Sequence, residues 1–154
     1  MKIIPLLLIT LTMILPLKVA NAFEEINTGY LSNLAVDGYD STAYFQQTPP
    51  QLGDKEYSFK WNGATWRFVN KESLDLFSAN PDRYRPQYGG YCSNQMSMGN
   101  LSDIDPHIYL IYQERLYLFG HDVGRGRWVE TGIENRIKDA DANWQKYLAS
   151  RKTN

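Results

Sequence analysis

The residues best equipped for chemistry cluster around one thiol. Cys92 is the single cysteine of the chain, Met96 and Met98 follow it closely, and the two histidines, His107 and His121, lie downstream. Thiolate and thioether are soft donors suited to Cu(I). On a helix, Cys92 and Met96 share a face, Met98 reaches round where the helix ends, and an imidazole from His107 or His121 completes a transition-metal site. The plainer alternative is a buried cysteine with methionines filling gaps in a core, since both residue types are often interior. A third reading makes Cys92 a nucleophile activated by His107 or His121, with Asp103, Asp105 or Asp122 orienting the ring. No recognisable catalytic signature surrounds Cys92, which weighs against an enzyme. The pair His121-Asp122 fits the start of a helix capped through Asp122. The stretch 120–126 lacks the Lys-Ser/Thr ending and the context of a phosphate loop, though Arg125 and Arg127 suit an anion. Asp103 and Asp105 offer too few oxygens for a calcium loop and fit a solvated turn.

The amino terminus determines how that thiol is to be weighed. Lys2, an apolar run over 3–17 and Ala20-Asn21-Ala22 are the three parts of a secretory signal, with cleavage expected after residue 22. The apolar run is shorter than the roughly 20 residues of a membrane span and ends in Pro16 and Lys18. The mature chain is then one domain, 23–154, in a periplasm or outside the cell. There a lone cysteine is exposed to oxidation unless buried or ligated. Cleavage removes two of 16 basic residues and leaves 14 against 17 acidic ones, a net charge of −3. That surface gives no reason to expect nucleic acid or an anionic membrane as partner after cleavage. A metal ion or a protein partner remains open.

The elements that must position these groups follow from the pattern. Tyr57, Phe59 and Trp61 alternate with polar residues, Asn62-Gly63 follows, and Trp66 and Phe68 resume the alternation. An aromatic period of two around Asn-Gly is a hairpin signal. Asn70 suits a helix N-cap with Glu72 in the first turn, and Asn80-Pro81-Asp82 stops that helix. Residues 42–45 are expected as a brief strand, 46–55 as a loop and 92–98 as a helical turn closed by Gly99. A second hairpin is expected over 108–119, apolar on both faces and so covered on both sides. Residues 121–131 are ambiguous. Ile137, Ala140, Trp144 and Leu148 recur at helical spacing in a terminal amphipathic helix. No internal repeat is visible. The fold class is α+β: a small domain with two β-hairpins packed by short helices.

Hairpin, helix and Asn-Pro-x-x-Tyr in that order bring a family into view. Residues 57–84, with Gly38-Tyr39-Asp40-Ser41-Thr42-Ala43-Tyr44-Phe45 before them, resemble the YHS domain, a module related to treble-clef-like metal-binding domains. Tyr88-Gly89-Gly90-Tyr91-Cys92 and Ala140-Asp141-Ala142-Asn143-Trp144 resemble exported bacterial proteins built around it. The resemblance implies a core over about 34–84 with a carboxy-terminal extension over 85–149. It implies structural roles for Asp40, Trp61, Trp66, Phe68, Phe77 and Tyr84. It places Ala43, Val69 and Ser73 where metal-binding members carry cysteines, so the soft-metal site of the family is absent from its usual place. The expectation is an exported YHS-type binding domain that takes a transition metal such as copper through Cys92 and its neighbours. The alternatives are a partner-binding or structural domain with that metal site lost, and an enzyme with Cys92 as nucleophile.

Overall fold

The computed structural model describes residues 24–29, 32–46 and 48–151; the proposed signal over 1–22 lies outside them. The described residues open with a segment in which Ile26 is buried, followed by a 3₁₀ turn, Ala35–Gly38, and a second one, Ala43–Gln46. Strands β1 (Asp54–Trp61) and β2 (Ala64–Phe68) form an antiparallel hairpin, followed by helices α1 (Lys71–Ala79) and α2 (Pro81–Tyr84). A third 3₁₀ turn, Gln87–Gly90, leads into α3 (Ser93–Ser97). The second antiparallel hairpin, β3 (Asp105–Tyr112) and β4 (Arg115–Phe119), is followed by α4 (Asp122–Glu130) and the long α5 (Ile133–Arg151). The α+β class and the two hairpins stand as expected. No helix among the described residues is long and apolar enough to cross a membrane.

The first hairpin forms for the reasons its sequence offers. Trp61 pairs with Ala64 across the turn, and Asn62 (φ 47°) and Gly63 (φ 79°) take the two positive φ angles that a type I′ connection needs. The second hairpin does the same through Gln113 (φ 46°) and Glu114 (φ 59°), where no glycine relieves the left-handed backbone. Asn70 caps α1, its side chain accepting from the Ser73 N–H at 2.9 Å.

Three expectations are corrected. Residues 43–46 are a 3₁₀ turn and not a strand. The Asp40 carboxylate accepts from both the Thr42 N–H (2.8 Å) and the Thr42 hydroxyl (2.7 Å), which curls the chain before it can extend. The helix at 122–130 starts from His121, not Asp122: the His121 Nδ1 accepts from the Gly124 N–H at 3.0 Å, and Asp122 instead pairs with Arg125 at 2.8 Å. And the molecule does contain a recurrence. In both hairpins an eight-residue strand pairs with a five-residue one. In both the pairing slips at the same point, between Asp54 and Ser58 in the first and between Asp105 and Tyr109 in the second.

Two apolar clusters hold the elements. The first gathers Ile26, Val36, Tyr44, Trp66, Phe68 and Phe77, with Trp61 and Tyr84 half-buried against it. Of the residues expected to be structural, Asp40, Trp66, Phe68 and Phe77 are fully enclosed, whereas Trp61 and Tyr84 lie at the margin. The second gathers Tyr88, Cys92, Met96, Tyr117, Phe119, Trp128, Ala140 and Trp144. Strand β4 joins them. Leu116 and Leu118 face the first cluster, Tyr117 and Phe119 the second, so its two faces are both covered as its unbroken apolar run implies.

Candidate functional site

Cys92 stands at the amino end of α3, directly after the left-handed turn made by Tyr88, Gly89 and Gly90. Its N–H donates to the Ser102 carbonyl at 2.9 Å, and its carbonyl accepts the Met96 N–H at 2.9 Å. The sulfur accepts from the Gly120 N–H at 3.4 Å. Only 3% of the residue is exposed, so the thiol is enclosed rather than presented. Met96 is fully buried in the same cluster, one helical turn on. Met98 is the C-cap of α3 and is 49% exposed.

The two histidines are engaged elsewhere. His121 is occupied at Nδ1 by the helix cap, which leaves its proton on Nε2 in the neutral ring. His107 lies early on β3, with Nδ1 3.0 Å from Asp105 Oδ1 and Nε2 3.4 Å from the Tyr39 hydroxyl. The rings of Tyr39 and His107 meet edge to face, 5.2 Å between centres. The structure thus brings Cys92 and Met96 together and hydrogen-bonds neither histidine to them. Among the described residues no group of three or more His, Cys, Asp or Glu side chains is placed to hold a metal ion.

A second constellation, not evident from the sequence, forms around His107. Asp105 Oδ1 accepts from both the backbone N–H (2.9 Å) and the ring of His107, which holds its carboxyl below the usual carboxylate range. Asp37, in the left-handed turn before Tyr39, is shifted the other way: burial first, then the nearby Asp103 and Asp105, push its carboxyl up. Beneath them the Tyr44 hydroxyl donates to the Pro106 carbonyl at 2.8 Å, and burial raises its pKa. Asp103 also lines an open cleft of about 650 Å³ beside Glu24, Asn27, Thr28 and Tyr91. Neither Asp37 nor Tyr39 is marked by its sequence context as a partner of His107. They join residues 68 positions away only because the turn at 35–38 sets them beside β3.

The opposed shifts fix the sign of a pH effect. A raised carboxyl stabilises the fold below the unfolded value of 3.8, and that contribution is lost as pH rises through the higher folded value. Asp105 does the reverse, contributing above 3.8 and failing as pH falls through its lowered value. Asp37→Asn is therefore expected to stabilise the protein at about pH 7 by a few tenths of a kcal/mol, the scale of exposed charge pairs. Asparagine also tolerates the left-handed backbone at this position, where φ is 52°. Urea midpoints at about pH 7 and about pH 3.5 check it: the gain belongs at the higher pH and shrinks at the lower.

Compared with known proteins, the chain matches no family model, and no curated protein or solved structure is significantly similar to it.

Proposed function

We propose that this chain is an exported YHS-type domain working as a partner-binding or structural module, with the soft-metal site of the resemblance lost. The observation that carries this reading is the commitment of the Cys92 sulfur to a backbone N–H inside an apolar cluster, with both histidines engaged elsewhere. The positions matched to the family's cysteines support it. Ala43 is buried, the backbone N–H groups of Val69 and Ser73 are taken by Asp40 and Asn70, and none of the three side chains offers a thiolate. The same burial disfavours a nucleophile, which needs an accessible thiolate.

Binding of a transition metal, copper above all, is the second reading. It draws on one arrangement: Cys92 and Met96 place two soft donors one helical turn apart in the same cluster.

A titration of the mature chain with Cu(I), Zn(II) and Ni(II), wild type beside Cys92→Ser, separates the two. The module reading expects no metal affinity that depends on Cys92, and a thiol that resists alkylation until the protein is denatured. Submillimolar Cu(I) binding that disappears in Cys92→Ser would establish the metal site instead. A native thiol that alkylates rapidly without binding metal would return the nucleophile to first place.

A further inference from the structure

We infer that residues 34–80 and 86–131 are two versions of one structural unit set in tandem, and that Cys92 is the second unit's counterpart of Asp40. The correspondence runs at a fixed spacing. Leu34 to Pro86 and Asp40 to Cys92 each span 52 positions, while Asp54 to Asp105 and Phe68 to Phe119 each span 51, so one residue is lost in the connecting loop.

A hairpin followed by a helix recurs in many folds, so the weight rests on details that such a pairing does not require. Each unit begins with a parallel bridge to its own second strand, Leu34 to Thr65 and Pro86 to Leu116. Each then takes three successive residues with positive φ: Val36, Asp37 and Gly38 at 52°, 52° and 82°, and Tyr88, Gly89 and Gly90 at 54°, 63° and 84°. A β-branched residue in that region is a rare conformation. The Asp40 N–H donates to the Gln51 carbonyl at 2.8 Å, as the Cys92 N–H donates to that of Ser102 at 2.9 Å. The strand registers correspond pair for pair, including the slip. Asp54 Oδ1 accepts from the Glu56 N–H and Asp105 Oδ1 from that of His107, both at 2.9 Å. Asn70 and His121 cap nine-residue helices that bury Phe77 and Trp128 at matching positions.

The equivalence of Asp40 and Cys92 follows from what each accepts. Asp40 Oδ2 takes the Val69 N–H at 3.0 Å, just past β2, and Cys92 Sγ takes the Gly120 N–H at 3.4 Å, just past β4. In each unit this contact ties the left-handed turn to the end of the hairpin. The carboxylate works in the first unit because Thr42 supplies two more donors to it. In the second unit Asn94 replaces Thr42 and the group stands among Tyr88, Met96 and Trp128. A thiol accepts the single N–H there without the desolvation cost of a charge. Cys92 is thus a positioning residue.

Amide hydrogen exchange at Val69 and Gly120 tests the equivalence. Cys92→Ala is expected to speed exchange at Gly120 roughly three- to tenfold beyond any global change, the scale of one lost hydrogen bond, with Cys92→Ser restoring most of the protection. Asp40→Cys should keep more protection at Val69 than Asp40→Ala does. Should the Asp40 variants not fold, the Cys92 pair still decides. A folded Cys92→Ala protein with wild-type exchange at Gly120 would overturn the inference, as would folded Asp40→Cys and Asp40→Ala proteins equally unprotected at Val69.

Discussion

Gly89→Ala is expected to detach the amino-terminal segment and lower stability by about 3–4 kcal/mol. A Cβ at this position would lie 1.8 Å from the Glu25 carbonyl oxygen and 3.1 Å from the Trp144 ring. The Glu25 carbonyl would have to withdraw by more than an ångström, whereas the indole need give only a few tenths, so the segment that carries Glu25 must move. With it go the Asn27 N–H bond to the Gly89 carbonyl (2.8 Å), the Tyr91 hydroxyl bond to the Glu24 carbonyl (3.0 Å) and the burial of Ile26. Exposing one isoleucine costs about 1.5–3 kcal/mol, and an L-residue at φ 63° adds roughly 1–2 kcal/mol of backbone strain. Urea unfolding gives the magnitude, and limited proteolysis should cut within 24–29 in the variant alone. Gly63→Ala is the control. It carries the same kind of strain, φ 79°, but its Cβ would meet nothing within 4 Å, so it should lose only the strain and keep the segment protected. Equal losses at the two glycines would refute the clash.

Phe77→Ala should cost about 3–5 kcal/mol, the range for deleting a fully buried aromatic side chain. Phe77 is completely enclosed and its ring lies against four others: Trp66 at 4.6 Å, Phe68 at 5.1 Å, Trp61 at 5.8 Å and Phe59 at 6.3 Å between centres. Two of these belong to β2 and two to β1, so the side chain is where α1 meets the whole hairpin. Those rings are fixed by the sheet and close poorly over a void, which puts the cost toward the upper part of the range. The loss is a large share of the roughly 5–15 kcal/mol by which small domains are stable. Calorimetry should show the melting temperature lower by roughly 10 °C or more. A drop of only a degree or two would mean that the cluster repacks.

The sequence made some of this legible and concealed the rest for physical reasons. The first hairpin was readable because Asn62-Gly63 states its own turn chemistry and the aromatics keep a period of two through Trp61 and Trp66. The Asn70 cap and the terminal helix with Ala140 and Trp144 were readable on the same local grounds. Helix α4 was not, because Gly124 and Gly126 lower its propensity and Trp128 is its one fully buried large side chain. A Cβ on Gly124 would stand 3.3 Å from the His121 ring that caps the helix, a tight approach. The left-handed turns were hidden because Val36 and Tyr88 are residues that rarely take positive φ.

The recurrence escaped for a related reason, since corresponding positions keep a task while changing the residue that performs it. Asn70 and His121 both cap, Phe77 and Trp128 both fill a core, and Asp40 and Cys92 both accept an N–H past a strand. Identity survives at few places, among them Gly38 and Gly90, Tyr39 and Tyr91, and Phe68 and Phe119. Of the site, the sequence could name Cys92, Met96, Met98, His107 and His121 by chemical type. It could not say that the thiol is enclosed, that Met98 faces out, or that His107 meets Tyr39 across 68 positions.

Strand β4 has a further consequence, for the way the molecule comes apart. Because Leu116 and Leu118 complete one cluster while Tyr117 and Phe119 complete the other, no cut through the chain separates the two interiors without tearing this strand from one of them. Recurrent architectures usually melt piecemeal, since each unit leans only on its neighbours. Here four consecutive residues, 116–119, alternate between the two interiors, and a single cooperative transition is expected of the two units. A lesion in either interior is then expected to lower that single transition rather than to split it in two.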